Sequence, residues 1–399
     1  MSRYHSYLNS AKEILNQYKG DQPFALFSKD FFRQRKKYGS QDRKQITNLC
    51  YCYFRLGKAG RHLPVEERIL LGLFLCAGSA NEMLEQLKPE WVKHVNKSAS
   101  EKLPIANSQL AIEEIFPWQN ELSTGIEKQT FILSHLHQPD LFLCVRPGNE
   151  KSVQEKLRSA GIEFKILNEN CLCLPNTSKL DGVIEVDRDA VIQDYTSQQI
   201  GDYLTPLTAN TEQQTIKVWD CCAGSGGKSL LAFDIIPNIE LTVSDKRASI
   251  LVNLKKRFAR ARIHNYENIL IDLSTHSNSR LPTPDSRLPT HHFDLILFDA
   301  PCTGSGTWSR TPEQLYYFKE EKIIDYSTLQ KRMLGNIVPH LKEGGVLLYI
   351  TCSVFQKENE EIVEFIKKNF HLELKKMEIL KGYAHHADSM FAAEFCREK

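Results

Sequence analysis

From Ile216 onward, short apolar runs alternate with helix-like stretches, and this alternation constrains the fold more than any other feature of the sequence. The runs are Ile216 to Cys221, Leu241 to Ser244, Phe293 to Phe298 and Val346 to Ile350. Strands separated by helices argue for α/β class and a doubly wound sheet. Such sheets build their sites at the carboxyl ends of strands, so the residues that follow each run are the first candidates for function.

At 399 residues the chain exceeds one typical core and predicts two or three domains. Residues Asp42 to Arg55 place Ile46, Leu49, Cys50 and Tyr53 on one helical stripe. A second helix follows Pro64, with Glu66 and Glu67 in its first turn and the apolar run Ile69 to Cys76 behind them. Residues 1–125 therefore read as a helical domain. Residues 126–205 read as a small α+β unit, with strands at Leu141 to Val145, Phe164 to Leu167 and Cys171 to Leu174 around a helix at Lys151 to Ser159. Residues 206–399 hold the alternating pattern. The stretch 274–292 carries a short repeat, Ser279 to Thr283 and Ser286 to Thr290, and its prolines predict a surface loop that leaves the sheet intact.

Eleven cysteines, without a CxxC pair or a signal-like N-terminus, predict reduced thiols in a cytoplasmic protein, with no disulfide framework and no metal site. The longest apolar run, Ile69 to Ala77, is too short to span a bilayer, so no membrane is expected as a partner. A net charge of +2 hides an asymmetry, because residues 1–61 carry 13 Lys and Arg against 4 Asp and Glu, a local +9. There Phe31, Phe32, Arg33, Arg35, Lys36, Lys37 and Tyr38 interleave rings and cations. That combination either stacks on bases and neutralises phosphates or is a solvated helix face. The run Lys255, Lys256, Arg257, Arg260 and Arg262 has the same two readings, phosphate tracking or solvation.

The first run ends in Asp220-Cys221-Cys222-Ala223-Gly224-Ser225-Gly226-Gly227-Lys228-Ser229, a glycine-rich turn opening a helix. It fails as a P-loop because Cys222 stands where the first glycine is needed, and it matches GxGxxG imperfectly because Ser229 takes the last place. Asp245, at the end of the second run, suits a ribose diol, whether of nicotinamide adenine dinucleotide or of S-adenosylmethionine. The next two runs end in Asp299-Ala300-Pro301-Cys302 and Thr351-Cys352-Ser353. Two strand-end thiols suit methyl transfer to carbon 5 of a pyrimidine, which is a poor nucleophile until a thiolate adds at carbon 6. The residues themselves leave open which thiol attacks.

With both cysteines in place, the chain resembles the RsmB/NOP (NSUN-type) family of RNA 5-methylcytosine methyltransferases. The resemblance rests on Cys222 to Lys228, Asp245, Asp272, Asp299 to Gly306, Arg310-Thr311-Pro312, Thr351 to Ser353 and Glu358-Asn359-Glu360. It extends upstream to Val191 to Gln198. The chain departs from the family at Ser225, where the family has proline, and at Ala387 to Ser389, where it has glycines.

The resemblance implies a Rossmann-like class I S-adenosylmethionine-dependent methyltransferase sheet, an N-terminal all-helical NusB-like RNA-binding domain and a small RRM-like subdomain. It implies that Cys352 adds to carbon 6, that Cys302 assists release of the adduct, and that Asp299 hydrogen-bonds the cytosine ring. S-adenosylmethionine would lie along Cys222, Ala223, Gly224, Ser225, Gly226, Gly227 and Lys228. Asp245 would take its ribose, Asp272 its adenine region, and Asp299 and Lys228 the neighbouring end. Lys228 has three readings: contact with Asp299, contact with the cofactor carboxylate, or a solvated first-turn lysine. Arg33, Arg35, Lys36, Lys37 and Arg310 are the candidate RNA contacts. The expected protein is a monomer acting on RNA, with bacterial 16S ribosomal RNA favoured over transfer RNA. The competing readings are a non-catalytic RNA-binding factor and a nicotinamide dehydrogenase.

Overall fold

The computed structural model describes residues 3–106, 110–206, 214–275 and 292–398, which fall into two compact units. The first comprises Met1–Leu122, Ile126–Gln138 and Thr307–Glu320. It is built from α1 (Arg3–Gln17), α2 (Phe24–Arg33), α3 (Ser40–Arg55) and α4 (Val65–Cys76), with the shorter α5 (Glu82–Leu87), α6 (Pro89–Val92), α7 (Ala99–Ala106) and α8 (Lys128–Ser134). At the start of α3 the Asp42 carboxylate accepts the Gly39 N–H at 2.9 Å, and the stripe Ile46, Leu49, Cys50 and Tyr53 is buried as expected. Helix α4 is buried continuously from Arg68 to Leu75. It meets α3 at Gly72, where a Cβ would come within 2.3 Å of the Cys52 carbonyl oxygen, so only glycine permits the approach. The buried Arg68 guanidinium donates to the Gly57 and Ala59 carbonyls at 2.8 and 3.0 Å, which offsets its desolvation.

Thr307–Glu320 belongs to this helical unit although it lies far along the chain. Its helix Pro312–Tyr317 (α14 in chain order) sets Tyr317 against Tyr18 and Tyr316 against Tyr53, each pair with ring centroids 5.4 Å apart. Lys58 and Arg61 donate to the Tyr316 carbonyl at 2.8 and 2.6 Å.

The second unit comprises Ser123–Gly125, Pro139–Gly306 and Glu321–Lys399 and holds two sheets among its described residues. The smaller is antiparallel, in the order β2 (Lys165–Ile166), β3 (Cys171–Leu174), β1 (Leu141–Val145), β4 (Ala190–Ile192). Helix α9 (Glu150–Ser159) packs Val153 and Leu157 against Leu143, Val145, Leu172 and Leu174. Helices α10 (Tyr195–Gln199) and α11 (Gly201–Leu204) lead onward. Strand β4 was not anticipated, because three residues are too few to register a period.

The larger sheet has the order β10 (Leu372–Leu380), β11 (Met390–Arg397), β9 (Leu341–Thr351), β8 (Phe293–Asp299), β5 (Ile216–Asp220), β6 (Ile239–Asp245), β7 (Glu267–Leu270). The strands from β9 to β7 are parallel, and β11 runs antiparallel between β9 and β10. Successive strand residues enter opposite cores. Val218, Leu295, Leu297 and Leu348 meet Leu230 of α12 (Gly227–Ile235) and Leu254 and Phe258 of α13 (Ala248–Arg260). Trp219, Ile296, Phe298 and Leu347 meet Leu334 and Ile337 of α15 (Glu321–Ile337) and Ile362 and Ile366 of α16 (Glu360–Asn369). This is the doubly wound Rossmann-like sheet expected from the alternation, with both faces covered. The β10–β11 pair escaped the sequence reading because charged residues interrupt β10 at Glu373, Lys375 and Lys376. Of the proline-rich stretch, residues 276–291 lie outside the described residues. No helix among the described residues is long and apolar enough to cross a membrane.

Candidate active site

The strand order reverses at β5, which has β6 on one side and β8 on the other, and a crevice of about 690 Å³ opens at the carboxyl ends of these strands. Its floor is the turn after β5. Gly224 and Gly226 adopt φ of +55° and +83°, a region that side chains resist, and a Cβ on Gly226 would lie 2.6 Å from the Phe258 ring. Gly226 thus faces the core, while Cys222, Ala223, Gly224, Ser225, Gly227 and Lys228 line the crevice. Cys221 is buried and donates its thiol to the Leu297 carbonyl at 3.3 Å. Beneath the turn, buried Asp220 accepts the Ser229 hydroxyl at 2.6 Å, and burial pushes its pKa up to about 7.

Two further carboxylates border this end of the crevice. Asp245 closes β6 and accepts Gly224 N–H at 3.2 Å and the Arg247 side chain at 3.0 Å. Burial alone would raise its pKa, but the bonds from Arg247 and Gly224 hold it below the ordinary range. Asp272 follows β7 and accepts the Ser274 hydroxyl and N–H at 2.5 and 2.9 Å, which lowers its pKa as well.

The opposite end holds the thiols. Strands β8 and β9 pair in parallel with Asp299 beside Ile350, which brings Cys302 and Cys352 to the same crevice. Lys228 reaches across and donates to Asp299 at 2.7 Å, its side chain only 10% exposed. The solvated reading of Lys228 is therefore wrong, because the helix start points the lysine inward to Asp299. Burial opposes its charge, but the Asp299 carboxylate raises its pKa above the ordinary value, so it stays an ammonium. Burial pushes the Cys352 thiol up to about 12, with Asp299 adding to the shift and Lys228 opposing it. Cys302 is raised well above its usual value by burial and then by the neighbouring Cys352 and Glu358. Both sulfurs are thiols at rest.

The sequence reading missed Asp194 and Asp388, which line the same crevice and whose charges bear on Cys352. Asp194 caps α10 through Thr196 N–H at 3.0 Å and accepts Asp388 N–H at 3.1 Å. Its place within Val191 to Gln198, a segment already singled out, was the available signal.

The candidate RNA contacts lie elsewhere, in the helical unit. Phe31, Phe32 and Tyr38 are buried, with Phe32 5.5 and 5.4 Å from the other two rings. The expectation that these rings stack on bases fails, since they are core. Arg35 pairs with Glu13 at 2.8 Å and Arg33 with Asp30 at 3.2 Å, while Lys36 and Lys37 are exposed. Arg310 is half-buried within the Thr307–Glu320 segment. On α13 two of the cations are engaged by the protein itself, Arg257 largely buried and Arg260 still 59% exposed. Arg257 and Arg260 each bind Asp187 at 2.6 Å, so they tie the small sheet to α13, while Lys255 and Lys256 are exposed.

Residues 206–395 match the model of a family described as 16S rRNA methyltransferase RsmB/F. This segment is an RsmB/F-family methyltransferase domain. Ribosomal RNA small subunit methyltransferase B of Photorhabdus laumondii is 30% identical to the chain over 184 residues, which cover 45% of the chain and 38% of that protein. The chain thus spans about two fifths of the length of the curated relatives it matches first. The crystal structure of PH0851 superposes with a TM-score of 0.68 over 99% of this chain and 98% of that one, at 18% identity. NSun6 from Pyrococcus horikoshii, crystallised with SFG, gives a TM-score of 0.58 over 71% and 97%, at 13% identity. Both likenesses establish the fold in which the RsmB/F domain sits.

Proposed function

We propose that this protein is an S-adenosylmethionine-dependent RNA methyltransferase acting on carbon 5 of a cytosine, with 16S ribosomal RNA as the favoured substrate. The observation that carries the reading is the meeting of two strand-end thiols and the Lys228–Asp299 ion pair in one crevice with a glycine turn. The relatives' names supply the ribosomal RNA. NSun6, a fold neighbour, was crystallised with SFG, an S-adenosylmethionine analogue.

The residues fit such a cofactor. Asp245 offers carboxylate oxygens for a ribose diol once Arg247 yields, Asp272 borders the same end, and Gly224 and Gly227 leave backbone open to the crevice. Bound there, S-adenosylmethionine supplies an electrophilic methyl group. The protein's own residues do the rest. The Cys352 thiol passes its proton to water and its sulfur bonds to carbon 6 as the ring's 5,6 double bond opens, leaving that electron pair on carbon 5 to take the methyl group. Asp299 hydrogen-bonds the ring, and Lys228 keeps that carboxylate in place. After carbon 5 gains the methyl group, its hydrogen leaves as a proton, the sulfur–carbon bond breaks and the ring double bond returns, a step that Cys302 assists. A base in a duplex must be everted, or be single-stranded already, to reach Cys352.

The test expresses Cys302→Ala in cells, denatures it and looks for a covalent RNA adduct. The expected result is an adduct containing 16S ribosomal RNA that disappears when Cys352→Ala is added. Transfer RNA in the adduct would correct the substrate. No adduct, together with a wild type that transfers no methyl to total RNA, would overturn the reading.

A further inference from the structure

Glu358 is fully buried and does not line the crevice, and the reaction described above makes no use of it. Its carboxylate accepts the Thr303 N–H at 2.8 Å, the Thr303 hydroxyl at 2.6 Å, the Ser353 hydroxyl at 2.7 Å and the Gln330 amide at 3.4 Å. Thr303 follows Cys302 in the chain and Ser353 follows Cys352. Gln330 also donates to the carbonyl of Pro301, which precedes Cys302, at 3.0 Å. Asn359 completes the set: it accepts the hydroxyl of Thr351, which precedes Cys352, at 2.6 Å and donates to the Ser353 carbonyl at 2.9 Å. The residues on both sides of both cysteines therefore converge on Glu358, its neighbour Asn359 and Gln330. Burying a carboxylate is costly even with good partners, and an apolar side chain would serve stability as well. What an apolar residue could not do is gather donors from two separate turns onto one point.

We propose that Glu358 is a positioning residue that fixes the separation and orientation of Cys302 and Cys352 so that both thiols address one pyrimidine ring. Its functional half rests on the methyltransferase reading; its geometric half does not. A second consequence follows from charge. Cys302 is faced by Cys352, Glu358 and Asp299, and also by Tyr326 and Tyr349. Burial, Cys352 and Glu358 all raise the Cys302 pKa, so removing the Glu358 charge makes that thiol easier to ionise.

The test compares full-length wild type with Glu358→Gln in three measurements: S-adenosylmethionine affinity by calorimetry, methyl transfer kinetics on ribosomal RNA, and the pH profile of Cys302 alkylation by iodoacetamide, read by mass spectrometry. Affinity should stay within about twofold, which also reports folding, because Glu358 is outside the crevice. The turnover number should fall at least about tenfold with the KM for RNA unchanged, and the alkylation profile should move to lower pH. Wild-type turnover and an unmoved alkylation profile would overturn the proposal. If Glu358→Gln fails to fold, Thr303→Val, which deletes one of the four bonds but keeps the Glu358 charge, is read by affinity and turnover alone, and wild-type turnover in it overturns the proposal. A wild type that methylates no RNA sinks the methyltransferase reading, and the alkylation arm then still judges Glu358.

Discussion

The two ends of the crevice are held in different ways. At the glycine-turn end, the carboxylates that border the crevice are held by partners near the solvent. Asp245, itself buried, is gripped by Arg247, whose side chain is 57% exposed, and the exposed Asp272 by the half-buried Ser274. At the thiol end, Thr351, Ser353, Gln330, Glu358 and Asn359, which fix the cysteine turns, are buried, Thr303 is half-buried, and Lys228 and Asp299 are paired across the gap. An end suited to admitting and releasing a polar ligand keeps its acceptors satisfied by partners at the solvent edge that a ligand can replace. An end that must align reacting atoms has its geometry settled before the substrate arrives.

If this contrast is right, damage at the thiol end should strike turnover and damage at the other end should strike binding. The largest effect is expected for Lys228→Met, which removes the cation facing both Asp299 and Cys352. Turnover should fall by about 10²–10⁴-fold. The limb of the pH–rate profile that reports thiol ionisation should move to higher pH, because the one influence opposing the rise of the Cys352 pKa among its leading causes is lost. Steady-state rates from pH 7 to 10 check it, and a loss confined to KM would break the comparison. Next in size is Asp245→Asn. It exchanges a charged acceptor for a neutral one, which should weaken S-adenosylmethionine binding by about 10- to 100-fold at nearly unchanged saturated turnover. Calorimetry beside saturation kinetics decides it; a fall in turnover equal to the fall in affinity would show that the two ends are not separable.

How much of this was legible in the sequence divides along the same line as the chemistry. Each parallel strand is a local apolar run, and Asp245, Asp299, Cys302 and Cys352, which stand at or just past the ends of these runs, line one crevice as those positions implied, while the role given to Asp299 came from the resemblance. The glycine turn was found because its positive φ values admit few other residues. What escaped depends on contacts between distant segments. Nothing near Phe31 or Tyr38 says that these rings pack on one another instead of facing a base, and nothing on α13 says that Arg257 and Arg260 are claimed by Asp187, some seventy residues earlier. The capture of Thr307–Glu320 by the helical unit and the antiparallel β10–β11 pair are of the same kind. A period in the sequence reports a face, and these features need to know what the face meets.

The smallest expected effect sharpens the comparison from below, because the glycine-turn end also rests on one buried carboxyl. Asp220 ties the end of β5 to α12 through Ser229, and its pKa is pushed up to about 7 chiefly by burial. An unfolded aspartate titrates near 4. The folded protein therefore binds the extra proton between these values, and the stability this group contributes is present below about pH 4 and is lost as pH rises through about 7. Asp220→Asn keeps an acceptor for Ser229 and never ionises, so wild type should lose stability relative to the variant across that window and the difference should level off above it. Urea unfolding at pH 5 and pH 8 measures it. Activity should change less than for Lys228→Met, because Asp220 anchors the turn from beneath and leaves the thiols' own supports untouched. A turnover loss as large as that of Lys228→Met would mean that the glycine turn is as rigidly coupled to the chemistry as the cysteine turns, and the contrast between the two ends would fall.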